Sequence, residues 1–497
     1  MDQRRGGARR AGKKRRNHFA AAEIYSQRMK LTQLPDDMLV LVMQRLDVKS
    51  IFACRLVCQK LSGLALHRDV WRHQSCFKYN DRYLMRCVCG LLRLAPCLQE
   101  LAVWLPVRGC RPALTSTSCA ARVLSVSVGN AAAVQDAAEA VCRQRSLGGL
   151  RGIVIEFRTQ ADASALLAAV AQTPGLGGLR VTAHTDIPWL AAPDTLPASS
   201  LKRFQCELRR ETVDFANFIL AAHAATLEEV EFLHSTFSTP LTWALLGGMQ
   251  HLRRLKCDGN PGMEAVAACG SLRVLDLTVT HNRLAAAWAA DFLRAAVQLR
   301  VVRISYEPGI RRADDVGADL VLALASSGRS RVETLALDNS GDQGENAPYL
   351  PSLIRALPSL PCLRHLKVDR EPDGLLRAIH PDTAPALQSV DVVLGRGECA
   401  HAWIHGDAVK AVMSANPSLH VNVEAGAILC GDYDKMMCEG ACAVGCHREL
   451  EECIRWNEED YRWGHHLGLF SHDPTEKCSQ KHSTEHKRCW ILIPQSQ

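Results

Sequence analysis

The chain has 497 residues, 47% apolar and 22% charged, the balance of an ordinary water-soluble globular protein. No apolar run approaches the roughly 18 residues that a membrane-spanning helix needs, which excludes a bilayer span. The formal charge is +7, but residues 1–16 hold eight bases and one acid, so the basicity belongs to a leader and not to the fold.

That leader, residues 1–30, has glycines and no apolar periodicity, and reads as disordered. Its centre, Lys13-Lys14-Arg15-Arg16, fits a nuclear localisation signal or a polyanion contact; a solvated leader without a role fits equally. The apolar stretch from Phe19 is cut short by Glu23, which does not suit a secretion signal. The 21 cysteines follow no framework of short even spacings, so we expect reduced thiols in the cytoplasm, the nucleus or both, most of them buried as small apolar side chains.

Residues 34–71 predict three short helices. Leu34-Pro35-Asp36-Asp37 suits a helix start, with proline early and acids in the first turn. Leu39, Val42, Met43 and Leu46 follow at helical spacing. Asp47 to Ser50 reads as a turn, a second helix covers Ile51–Leu61, and a third ends near Trp71. The first helix is apolar on more than one side, because Met38 to Met43 are consecutive apolar residues. A module of roughly 40 residues buries too little surface to be comfortable alone. Its second apolar face therefore meets either a partner or the rest of this chain.

This segment resembles the F-box. The leading Leu34-Pro35, Asp37, Met38-Leu39, Val42, Leu46-Asp47, Ile51, Leu56-Val57-Cys58, Leu64-Ala65 and Val70-Trp71 fall in register without a gap. Ser50 and Leu61 depart from it, standing where the family usually has an acid and often a tryptophan. The resemblance implies docking on a Skp-type adaptor, and through it on a cullin–RING ubiquitin ligase. It assigns Leu34, Pro35, Met38, Leu39, Ile51 and Val57 to the adaptor interface, with some of them open to being core instead.

Beyond residues 77–97, taken as a linker or cap, the pattern apolar-x-x-apolar-x-apolar recurs. It begins at Leu98, Val123, Leu150, Leu176, Leu201, Leu227, Leu252, Leu272, Leu299, Val332, Leu363 and Leu387. Most intervals lie near the roughly 20–29 residues of leucine-rich repeats. Alanine-rich helical stretches fall between (163–172, 215–224 and 284–297), so each unit predicts one strand and one helix. Such units stack into a solenoid, and 98–429 resembles the leucine-rich repeats that follow F-boxes. The turn asparagine of that pattern is clear only at Asn260, and the long intervals place loops at 341–348 and around Glu371-Pro372-Asp373. The expected fold class is α/β: a three-helix F-box followed by a repeat solenoid with a parallel sheet and outer helices.

Counting from the first apolar residue, period 2 sends positions 4 and 6 inward and positions 3, 5 and 7 outward. Arg203, Arg254, Lys256, Arg303 and Lys367 are then candidate substrate-binding bases on the exposed face. Position 7 is acidic at Glu156, Glu207, Asp258, Asp338 and Asp369, which argues against a nucleic-acid surface. The bland alternative is that these charges pair between repeats.

The segment 430–497 is rich in cysteine and histidine. Cys438, Cys442, Cys446 and Cys453 form one cluster; Cys478, His482, His486 and Cys489 form another. Both have four-residue spacings that suit one helix face, but neither has a Cys-x-x-Cys knuckle, so no metal and no cofactor is assigned. The whole reads as a non-catalytic substrate receptor of a ubiquitin ligase with an unknown protein substrate. A non-ligase scaffold and a nuclear nucleic-acid-associated protein are the alternatives.

Overall fold

The computed structural model describes residues 31–76, 88–106, 109–159, 162–183, 198–234, 237–308, 310, 316–339, 348–369, 372–394, 403–425, 465–473, 478 and 489–493. The basic leader, most of the 341–348 loop and most of the Cys/His-rich segment lie outside them. The chain divides into two compact units, with 126–142 and everything from Arg151 onward in the second.

The first unit opens with a 3-10 turn, Leu31–Gln33, and four helices: α1 (Asp36–Met43), α2 (Val48–Cys54), α3 (Gln59–Leu64) and α4 (Arg68–Trp71). Asp36 and Asp37 stand in the first turn of α1, where the helix dipole favours them. The expected turn at Asp47–Ser50 is instead the start of α2. Asp47 is its N-cap and accepts from the Ser50 backbone N–H at 2.6 Å. Hydrogen bonds from Ser50 pull the Asp47 carboxyl below its ordinary range. The expected helix over 51–61 is broken in two, because Cys58 is fully extended and restarts the chain as α3.

Leu39, Met43, Ile51, Leu61, Ala65, Val70 and Trp71 form the core of these helices. Trp71 donates its indole N–H to the Ala65 carbonyl at 2.7 Å and packs against Phe52 at 5.4 Å between centroids. Gln74 closes the module by donating to the Leu46 carbonyl at 3.0 Å. Strand β1 (Ser75–Cys76) then pairs in parallel with β2 (Cys97–Leu105), and β3 (Ala120–Val128) comes next in sequence.

The second unit carries a long parallel sheet. Its strands are β4 (Gly152–Phe157), β5 (Gly178–Ala183), β6 (Arg203–Glu207), β7 (Glu229–Leu233), β8 (Arg254–Asp258), β9 (Val274–Val279), β10 (Val301–Tyr306), β11 (Thr334–Asp338), β12 (His365–Val368), β13 (Ser389–Leu394) and β14 (His420–Ala425). Each pairs with the next in chain order, all parallel. Helices return the chain between strands, among them Ser164–Ala171, Val213–His223 and Arg283–Ala295, close to where the alanine-rich stretches place them. The shortest interval, from Leu252 to Leu272, has room only for a 3-10 turn at Met263–Ala268.

Register makes the repeat physical. Position 4 runs Leu255, Leu275, Val302, Leu335, Leu366, Val390, Val421 across neighbouring strands, and position 6 runs Cys257, Leu277, Ile304, Leu337, Val368, Val392, Val423. All fourteen side chains are buried. One repeat presents an apolar row that only the next repeat covers. Cys206 and Cys257 fill position 6, and burial pushes the Cys206 thiol up to about 12. Of the thirteen cysteines whose side chains are described, seven are buried. Asn260 is buried and donates to the Asp258 carbonyl at 3.2 Å, tying the strand turn. Gly259 lies so close to the next repeat that a Cβ there would stand 2.0 Å from the Ala285 carbonyl oxygen.

After β14 the pattern changes. β15 (His465–Phe470) pairs antiparallel with β14, and β16 (Cys489–Leu492) pairs in parallel with β15.

Candidate docking face and sheet surface

The F-box helices divide their apolar residues into two sets. Leu39 and Ile51, expected at the adaptor interface, are 1% and 0% exposed and belong to the core. They are corrected accordingly: each sits on the inward face of its helix, where it packs the module together. Leu34 is half-buried, and Pro35, Met38 and Val57 lie at the surface. Leu31, Leu41, Val42 and Leu56 are exposed as well, and the resemblance had not assigned them to the interface.

Leu56 is 89% exposed, Val57 68%, Leu41 54%, Met38 49% and Val42 44%. Met38, Leu41 and Val42 stand at i, i+3 and i+4 of α1, one stripe of that helix. Leu56 and Val57 project from the break between α2 and α3. The sequence signal was available, since α1 is apolar beyond what one packed face requires. Lys60 fixes the approach to α1. Its ammonium group donates to the Thr32 and Leu34 carbonyls at 3.1 and 3.0 Å and meets Asp36 at 3.0 Å. Nothing in the sequence pattern singles Lys60 out.

On the sheet, positions 3 and 5 do point outward, and most of the candidate bases are spent on their neighbours. Arg254 on β8 puts Nε and Nη2 on Asp276 Oδ2 of β9 at 2.8 and 2.6 Å. Arg303 on β10 takes the other oxygen, Oδ1, at 2.9 Å. Lys256 meets Glu231 on β7 at 2.6 Å, and Lys367 meets Glu424 on β14 at 3.4 Å. Arg203 is exposed and forms no ion pair among the described residues. The structure thus brings Glu231, Arg254, Lys256, Asp276 and Arg303 into one cross-strand network, as cross-strand pairing of opposite charges favours.

The position-7 acids divide: Asp338 is exposed and Glu156 half-buried, whereas three others are not open. Glu207, Asp258 and Asp369 are buried where the strands end. Asp369 accepts from the Asn339 backbone N–H and the Tyr349 hydroxyl, and desolvation holds its carboxyl above the ordinary range. Glu207 pairs with Arg209 at 3.2 Å. These three acids are turned away from solvent.

In the C-terminal segment, Cys438, Cys442, Cys446, Cys453, His482 and His486 lie outside the described residues, and of Cys489 only the backbone is described. Cys478 is described, and its sulfur lies 3.2 Å from Nε2 of His420, a residue of β14 that sequence spacing had not linked to it.

Among the described residues, no helix is long and apolar enough to cross a membrane. A comparison with curated proteins finds no match. The solved structure described as the Rad7 and Elc1 complex in yeast aligns at 11% identity over 78% of this chain and 96% of that one, with a TM-score of 0.33. The family model described as F-box domain matches residues 31–73. The chain therefore carries an F-box domain ahead of a solenoid of α/β repeats.

Proposed function

We propose that this chain is a non-catalytic substrate receptor of an SCF-type ubiquitin ligase, its repeats being of the leucine-rich kind. The carrying observation is that the F-box module completes its own core yet leaves Met38, Leu41, Val42, Leu56 and Val57 exposed. Large apolar groups gathered on a small module favour a protein partner. A Skp-type adaptor is the partner that an F-box implies, with a cullin bound through it.

The repeat sheet is the substrate surface in this reading. Its exposed face offers a charged network, and the chain contributes by holding a substrate near the transferring enzyme and raising its effective concentration. The basic leader serves localisation, in the nucleus as well as the cytoplasm.

Affinity purification of the full chain from cells tests this. Recovery of both a Skp-type adaptor and a cullin supports the receptor. The adaptor without a cullin points to a scaffold, and loss of both overturns the reading.

A further inference from the structure

His420 occupies position 3 of β14, one register step from Ser389, itself paired with His365. Position 3 faces outward, and His365 and Arg254 are exposed there. His420 is only 2% exposed. The cause is the segment folded over it. His472 stacks edge-on at 5.2 Å between centroids, Trp490 at 5.6 Å, and the Cys478 sulfur stands 3.2 Å from Nε2.

One donor atom each from His420, His472 and Cys478 lies within 4.8 Å of the other two. A tetrahedral zinc ion, with bonds of about 2.3 Å to sulfur and about 2.0–2.1 Å to nitrogen, needs donor separations of about 3.4–3.6 Å. The cluster is therefore within small side-chain adjustments of a ligand set. A thiol–imidazole hydrogen bond alone would account for the 3.2 Å contact, but not for a second imidazole brought to the same point.

The surroundings also suit a metal. His472 Nδ1 lies 3.2 Å from the Pro417 carbonyl, to which it can donate. That bond selects the tautomer whose Nε2 lone pair is available, the usual carbonyl support for a metal-bound histidine. His472 Nε2 is buried. Phe470, 5.4 Å from His472, and Trp490 wall the cluster with aromatic rings. The framework is anchored as well: Ser471 donates to the Met413 carbonyl at 2.9 Å, and the Ile493 N–H to the Phe470 carbonyl at 2.8 Å. Gly468 is required beneath Trp490, because a Cβ there would stand 2.4 Å from the indole.

We infer that His420, His472 and Cys478 bind a zinc ion that staples the C-terminal segment to β14, the last strand of the parallel run. The donor set, one thiolate and two imidazoles, suits a borderline ion such as zinc. On binding, the Cys478 thiol releases its proton to solvent, the sulfur forms its bond to zinc, and the fourth position is left to water. The purpose follows from the architecture, since the last repeat of a solenoid has no successor to cover its apolar row.

The test uses the full chain, stripped of metal and titrated with cobalt(II) and then zinc(II). Tetrahedral cobalt bands with a thiolate charge-transfer band, both bleached by zinc, are expected. Cys478→Ser should lose the charge-transfer band and one equivalent of bound zinc, and His472→Ala should weaken zinc at least tenfold. A wild-type chain that binds neither ion, or equal stoichiometry and spectra in the wild type and both variants, overturns the site. If Cys478→Ser fails to fold, X-ray absorption at the zinc edge of the wild-type chain decides instead. A shell mixing sulfur with nitrogen supports the assignment, and one without sulfur or made only of sulfur refutes it.

Discussion

Replacing Leu56 and Val57 together by alanine tests the docking face most directly. Both project into solvent, so the folded chain loses little; surface substitutions of this kind usually stay within about ±0.5 kcal/mol. The bound state loses more. Leu→Ala removes three carbons and Val→Ala two, at about 0.8 kcal/mol for each carbon buried. Scaled by exposures of 89% and 68%, complete covering by an adaptor would make the pair worth up to about 3 kcal/mol. A partner that covers half of each side chain would give about half of that. The expected rise in Kd therefore runs from about tenfold to a few hundredfold. Calorimetric titration of the purified chain with a Skp-type adaptor measures it, and urea denaturation in parallel checks the fold. The contrast is Ile51→Ala, fully buried, which should cost about 2–5 kcal/mol of stability and lose adaptor binding by unfolding the module. An adaptor affinity within twofold of wild type for the Leu56/Val57 variant would refute the docking face. So would a stability loss in it as large as that of Ile51→Ala.

Three further outcomes follow from the repeats. Asp276→Ala removes the carboxylate shared by Arg254 and Arg303, and should lower the urea midpoint by an amount equivalent to about 1.5–3 kcal/mol, the range for hydrogen bonds to charged groups. His223 is buried, with Nδ1 accepting from the Ser200 N–H at 3.2 Å, and desolvation lowers its pKa from the ordinary 6.5. Its neutral form is the folded form, so the stability tied to it is complete above pH 6.5 and is lost as pH falls from there towards the depressed folded pKa. Comparing urea midpoints at about pH 7.5 and about pH 5.5 should show a drop, of at most about 1.4 kcal/mol per pH unit, that is smaller in His223→Asn. Gly259→Ala forces a methyl group into the Ala285 carbonyl and should lower the thermal midpoint by several degrees, whereas the same change at Gly270, where nothing lies near, should not.

Much of this architecture was readable in the sequence because the repeat is enforced by burial. All twelve apolar patterns from Leu98 to Leu387 lie on strands β2 to β13, since a strand whose positions 4 and 6 must be dry has little freedom to vary them. Strand β14 escaped for a local reason. Its register places Ser418 at position 1, so a search for an apolar residue there passes over it, although Val421 and Val423 keep the inward positions. The charges were harder to place. Arg254, Arg303 and Asp276 satisfy one another across strands some 20 to 27 residues apart, a relation that only the register reveals.

The remaining errors share one cause. Periodicity states which way a side chain leaves the backbone, and not what is laid over it. Leu39 and Met38 are adjacent apolar residues of one helix, yet only Met38 is open, because the other helices of the module cover one side of α1. His420 and His365 occupy equivalent outward positions, yet His420 is sealed by a segment that pairs antiparallel with its strand through β15. Covering is a long-range property, decided by segments far away in sequence. The docking face and the proposed zinc site are its two opposite cases here: apolar groups that the chain leaves uncovered, and polar groups that it takes care to cover. Both are departures from what the local pattern requires, and that is why each points to an interaction the pattern itself does not contain.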